Sequence, residues 1–281
     1  MRNNQDRFGA KQDGSETPAA VAKVLDFVKP TEFVALPSKG AYPKGHALHN
    51  QETIEVFYMT AKDEDILSSE ALLKKGVAIE RFIENVIVDK TIPASSLYTG
   101  DRNAIIIAAR SSGYGNAYET TVKCPQCNSS SREVFDLDKP KIKETISEDE
   151  ELSLSKLEDG TFLTVMPRTG YNVRFRLLTG KDELEMLASK ISKKKTKIAG
   201  LDKNVTSQFK KMIVSIEEHG DQPVINRFVE VMTTKDSSHL KKCYAKVVPN
   251  IEIKNDYACE SCGHEQEMEV PLNADFFWPD Q

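Results

Sequence analysis

The chain has 281 residues, 39% of them hydrophobic and 29% charged, and its 38 Lys and Arg against 43 Asp and Glu give a net charge of −5. That length supports one large domain or two ordinary ones, each able to bury its own core. The acidic balance argues against coating of nucleic acid by the whole chain. No stretch approaches the roughly 20 apolar residues that span a bilayer, so no membrane insertion is expected.

Residues 1–30 read as a flexible arm, because the first twenty are polar and show no apolar period. They also lack the apolar core of a signal peptide, so the chain is expected to stay in the compartment where it is made. Residues 25–60 hold short β-rich runs punctuated by Pro37, Gly40, Pro43 and Gly45. His46 and His49 lie three apart in this Gly/Pro-rich stretch without an evident third ligand. A helix capped by Asp63 or Asp65 carries Ile66, Leu67, Leu72 and Leu73 and ends at Gly76. A second runs through Ile79, Phe82, Ile83, Val86 and Ile87, and Asp101 caps a third, buried one through Ala104–Arg110.

The next segment carries the strongest chemical signal. Tyr118, Thr120, Val122 and Cys124 alternate as a strand does, Cys124-Pro-Gln-Cys127 makes a tight turn, and Glu133–Leu137 supplies a return strand. Residues 138–159, which include Glu148-Asp149-Glu150-Glu151, read as a solvated, charged hinge. Residues 161–178 read as a hairpin, with Val173, Phe175 and Leu177 on one face and a turn at Pro167–Gly170. A helix starts at Lys181, and Lys193–Lys195 read as a solvated loop. Phe209, Met212, Ile213 and Ile216 mark an amphipathic helix, and Ile225, Phe228 and Val229 mark another. Asp236 or Ser237 caps a helix in which Leu240, Cys243, Tyr244 and Val247 form a buried stripe. The plan of the first cysteine hairpin then repeats. Ile251, Ile253, Tyr257 and Cys259 share one spacing, Cys259-Glu-Ser-Cys262 makes the turn, and Met268, Val270 and Leu272 alternate beyond it.

Two C-x-x-C turns in a chain without a secretion signal read as metal ligands before disulfides. Each turn aims two sulfurs at one point, and four thiolates suit tetrahedral zinc at about 2.3 Å per bond. Cys124, Cys127, Cys259 and Cys262 are therefore the expected ligands of one structural zinc per chain, with iron in the same cage the chemical alternative. Roughly 130 residues separate the pairs, where a compact ribbon has roughly 15–20. The expected architecture is therefore α+β. A helical N-terminal half is closed by a discontinuous four-cysteine zinc ribbon, residues 31–137 plus 246–281, and an α+β domain, residues 138–245, is inserted between the two halves of the ribbon.

A closed four-thiolate shell has no open position for a substrate, so such a metal stabilises a fold and does not activate water. The sequence has no phosphate-binding Gly-rich loop, no G-x-S-x-G and no H-E-x-x-H. It is read as a non-enzyme without a small-molecule substrate. A zinc-ribbon nucleic-acid-binding regulator is the alternative, opposed by the acidic charge, and a thiol oxidoreductase would need a low-pKa cysteine.

The order of short motifs resembles the baseplate hub assembly proteins of T-even-type contractile-tailed bacteriophages. The matching residues are Phe33–Gly40 (FVALPSKG), Met59–Leu67 (MTAKDEDIL), Leu97–Ala104 (LYTGDRNA), Ser112–Gly115, the first C-x-x-C with Phe135–Leu137, and Cys259–Gly263 with Phe276–Pro279. The resemblance covers most of residues 31–137 and 235–281. It implies a structural protein that helps to build the baseplate hub, with other hub and tail proteins as partners. It would be found in the host cytoplasm during assembly and in the virion tail baseplate afterwards. In that setting the arm and the aromatics Phe276, Phe277 and Trp278 are the expected docking elements.

Overall fold

The computed structural model describes residues 29–138, 140–195, 204–270 and 274–277. The arm before Lys29, Leu272 and Trp278 lie outside the described residues. From Thr31 onward the chain is one compact unit of mixed helices and small sheets. It opens with β1 (Thr31–Ala35) and β2 (Thr53–Phe57), antiparallel with Phe33 opposite Glu55. Between them a loop folds over the core by its own polar groups. Tyr42 is sandwiched between His46 and Tyr98, with ring centroids 4.2 and 4.3 Å away. His46 Nε2 lies 3.0 Å from Ser96 Oγ, and His49 Nδ1 lies 2.6 Å from the Tyr42 carbonyl oxygen.

Three short helices follow, α1 (Ala61–Ser68), α2 (Glu70–Lys75) and α3 (Ala78–Val86), and then the long α4 (Thr99–Tyr114). Gly76 ends α2 in the left-handed conformation at φ 71°, as its position predicts. The caps differ from expectation. Thr60, not Asp63 or Asp65, is the N-cap of α1, and the Asp63 carboxylate accepts from the Thr60 amide at 2.8 Å and its hydroxyl at 2.6 Å. Asp101 is likewise not a cap. It sits inside the first turn of α4, fully buried, and accepts from the Ser38 amide at 2.9 Å and the Tyr42 hydroxyl at 2.6 Å. The run Ile105–Ile107 is buried on a helix, as read, since α4 is covered on nearly all sides. Arg102 of α4 forms an ion pair with Glu80 of α3, and both are almost fully enclosed.

After the first cysteine hairpin, β5 (Lys141–Lys143) pairs with β11 (Asn250–Glu252), so the chain leaves and re-enters this region side by side. Between them lies a five-stranded antiparallel sheet in the order β10-β9-β8-β7-β6, built from β6 (Glu148–Asp149), β7 (Leu154–Lys156), β8 (Phe162–Val165), β9 (Asn172–Phe175) and β10 (Ile213–Ile216). Two expectations are corrected here. Residues 138–159 are not a plain hinge, because Asp149 pairs with Leu154 in the sheet. Ile213–Ile216 is not helical: the helix stops at Met212, and the β-branched run that follows joins the sheet against Phe175 and Val173. Around this sheet pack α5 (Gly180–Lys195), α6 (Asn204–Met212), α7 (Gln222–Val231) and α8 (Thr234–Val247). Lys193–Lys195 form the end of α5, not a loop.

One buried apolar cluster runs from Val34 through Ile105, Phe162, Phe175 and Leu240 to Phe277, so residues 138–245 share a core with the flanking segments. The tail is part of it. Phe276 and Phe277 are both buried, against Tyr118 at 4.8 Å and Phe82 at 5.1 Å between ring centroids. They lie in a 3₁₀ turn, Ala274–Phe277. A turn does not alternate faces as a strand does, so neither ring is left for a neighbour. No helix among the described residues is long and apolar enough to cross a membrane.

Candidate metal centre

Each cysteine pair sits at the tip of an antiparallel hairpin. β3 (Ala117–Lys123) and β4 (Ser130–Asp136) close at Lys123 opposite Ser130, and β12 (Lys254–Ala258) and β13 (Glu265–Glu269) close at Ala258 opposite Glu265. The two tips have the same hydrogen bonds. The Cys124 amide donates to the Ser129 carbonyl at 2.9 Å, and the Asn128 amide to the Cys124 carbonyl at 2.9 Å. The Cys259 amide donates to the His264 carbonyl at 2.9 Å, and the Gly263 amide to the Cys259 carbonyl at 2.8 Å. The residue after each second cysteine has a positive φ, 58° at Asn128 and 69° at Gly263. Glycine reaches that conformation without strain and asparagine tolerates it. Asn128 is not among the residues the sequence marks, although it stands, like Gly263, four residues after the first cysteine of its pair.

The two tips face each other. All four sulfurs lie within 4.8 Å of one another, with Cys124 Sγ 3.7 Å from Cys262 Sγ and Cys127 Sγ 3.6 Å from Cys259 Sγ. Four sulfurs at about 2.3 Å from a common centre would stand about 3.8 Å apart. The cage therefore fits a tetrahedral metal ion. The distances are far longer than the roughly 2.05 Å of a disulfide, and all four cysteines are free thiols. Cys124 and Cys259 are buried and Cys127 and Cys262 face solvent. A small apolar cluster of its own, Cys124, Tyr257 and Cys259 with Val122 and Met268 against it, backs the cage.

The thiols are electrostatically coupled. The Ser129 hydroxyl draws Cys259 down to about 5, with the Tyr257 hydroxyl and the Ser261 and Cys262 amides adding to it. Ser129 lowers Cys127 too, through its hydroxyl and its amide. The His264 amide favours a thiolate at Cys262, but desolvation and the three neighbouring sulfurs outweigh it and push Cys262 up to about 12. Like charges crowded at one point oppose the last ionisation, and a cation among them removes that opposition.

Other residues marked in the sequence have other uses. His264 Nε2 lies 3.3 Å from Gln266 Oε1, and the four cysteines form the cluster without it. Cys243 is buried in α8 with Thr164 Oγ1 and His239 Nε2 at 3.5 and 3.4 Å, and desolvation raises its pKa, which is the setting of an unreactive thiol. His46 and His49 are occupied by the loop bonds described above.

No curated protein and no solved structure matches the chain. A family match does exist, and it spans both cysteine hairpins and everything between them. Residues 31–278 match the family described as T4 bacteriophage base plate protein, and the chain belongs to that family.

Proposed function

We propose that the protein is a structural, non-enzymatic component of the baseplate hub. It acts by docking to neighbouring hub and tail proteins, with one zinc ion held by Cys124, Cys127, Cys259 and Cys262. The baseplate role follows from the family match. The observation that carries the mechanism is the convergence of four thiols from two hairpins far apart in sequence. Four protein ligands complete a tetrahedral shell, so the ion would act as a cross-link between the hairpins and not as a Lewis acid for a substrate. The discontinuous ribbon of residues 31–137 and 246–281 would then be held closed around the segment 138–245. Assembly would take place in the host cytoplasm, with the protein delivered to the virion tail. The arm, residues 1–30, remains the docking element proposed from sequence, since Phe276 and Phe277 are committed to the core. The nucleic-acid-binding alternative is not favoured, given the net charge of −5.

Elemental analysis of the full chain purified without chelator is expected to find one zinc per chain, and Cys124→Ser to lose it together with solubility. Cross-linking of isolated baseplates is expected to join this chain to hub proteins. Metal-free, fully soluble wild-type protein would sink the zinc reading. Absence of the chain from hub cross-links would sink the docking reading.

A further inference from the structure

Ser129 occupies a singular place in the cage. Its side-chain oxygen lies 3.0 Å from Cys127 Sγ and 3.2 Å from Cys259 Sγ, so one hydroxyl touches a sulfur from each hairpin. Its carbonyl accepts the Cys124 amide at 2.9 Å, which ties the same residue to a third cysteine. At the matching position of the second tip stands His264, which has no hydroxyl and whose ring nitrogen turns to Gln266 at 3.3 Å. The four-cysteine pattern is nearly symmetric in backbone and asymmetric in the groups that serve its sulfurs.

We propose that Ser129 is a positioning residue for the metal, bridging the Cys127 and Cys259 thiolates of opposite hairpins and slowing release of the ion; this rests on the metal reading above. The chemistry is simple. Metal-bound thiolates only accept hydrogen bonds, and a hydroxyl carries one proton, so Ser129 donates to one sulfur at a time and reaches the other by rotation about Cβ–Oγ. Each donation removes electron density from a sulfur that would otherwise repel its neighbour. It also fixes the distance between two ligands that the chain itself places more than a hundred residues apart. Loss of such an outer partner typically costs about 10–100-fold in metal affinity.

The test uses the full chain as wild type, Ser129→Ala and Ser129→Thr, with metal content by elemental analysis and zinc transfer to a chromophoric chelator as the readout. Ser129→Ala is expected to bind one ion and to hold it about 10–100-fold more weakly, while Ser129→Thr, which keeps the hydroxyl, returns to within a few-fold of wild type. A general packing defect would not be rescued by the bulkier threonine. Transfer constants for Ser129→Ala equal to wild type would overturn the proposal and leave the metal site standing. Wild type that binds no metal would overturn both. If Ser129→Ala fails to fold, cadmium-113 substitution of wild type decides. A Ser129 hydroxyl proton that is protected from exchange and coupled to the cadmium resonance supports the bridge, and rapid exchange without coupling overturns it.

Discussion

Two buried aspartates show how local donors decide the state of a carboxylate. Asp101 and Asp182 are both almost fully enclosed, and desolvation is the first influence on each. Asp101 receives only neutral donors, from Ser38 and Tyr42, and its pKa is raised. Asp182 receives a two-pronged bond from the Arg176 guanidinium, both arms at 2.8 Å, together with the Thr179 amide, and its pKa is lowered. The two carboxylates therefore have opposite linkage to folding. Ionised Asp101 is disfavoured in the folded chain, so falling pH relieves a cost through its raised pKa. Asp182 contributes stability that is complete above the unfolded value of about 3.9 and is lost as pH falls through its lower folded value. Asp182→Asn is expected to cost about 1.5–3 kcal/mol near neutral pH, the range for hydrogen bonds to charged groups. The gap to wild type should narrow steadily below about pH 3.9 in urea unfolding. A gap unchanged between pH 7 and pH 3 would show that the loss is one of packing, not of charge.

At the scale of elements, one pattern, Thr-x-Lys-Asp, starts three helices. Thr60-Ala-Lys-Asp63, Thr179-Gly-Lys-Asp182 and Thr233-Thr-Lys-Asp236 each set a threonine at the helix boundary and an aspartate three residues on, joined by short bonds. Each aspartate also reaches out of its helix, to Asn85, Arg176 and the Arg168 amide respectively. The pattern is visible in sequence, but at the first and third of these helices the aspartate is the residue the sequence offers as cap, and at the second the sequence places only a helix start, at Lys181. An aspartate before an apolar run satisfies that rule as well as a threonine three residues earlier does, and only geometry separates them. Segments with strong periodicity were legible: both cysteine hairpins, the β8–β9 hairpin, α3, α7 and α8 stand where their patterns put them. Exposed charged strands such as β6 bury too little to leave an alternating pattern, and the spacing of Phe209 to Ile216 served a helix and a strand equally well. Close approaches between elements left no sequence trace either. Gly100 in the first turn of α4 is such a case, since a Cβ there would collide with the Pro249 carbonyl oxygen just before β11. Backbone cannot yield as a side-chain tip can, so Gly100→Ala is expected to destabilise by about 1–3 kcal/mol, as overpacking does, despite alanine's better helix propensity. A thermal melt at or above the wild-type midpoint would contradict that contact.

For the molecule as a whole, the cysteine cage stands apart from the main core, and this sets how loss of the proposed ion should propagate. The hairpins β3–β4 and β12–β13 are separate two-stranded sheets with no backbone pairing between them. An isolated two-stranded hairpin is marginal in water. Their roots are anchored, through Tyr118, Phe135 and Val270 in the large apolar cluster. The polar links between the two hairpins are few: the sulfurs, the Ser129 hydroxyl 3.2 Å from Cys259 Sγ, Ser131 with the Tyr257 hydroxyl at 3.3 Å, and the Asn255 side-chain amide donating to the Val134 carbonyl at 3.2 Å. A structural zinc supplies on the order of 10 kcal/mol in small sites, far more than those bonds. Chelation under reducing conditions is therefore expected to open the tips without unfolding the remainder. In hydrogen exchange, the amides of Cys124, Asn128, Cys259 and Gly263 should lose protection, while those of α4 and the β8–β9 pair keep it. Exchange that rises everywhere together would mean that the cage and the large core are one cooperative unit. Unchanged exchange at the tips would mean that the hairpins hold without an ion, and that the thiols are not where the stability of this region resides.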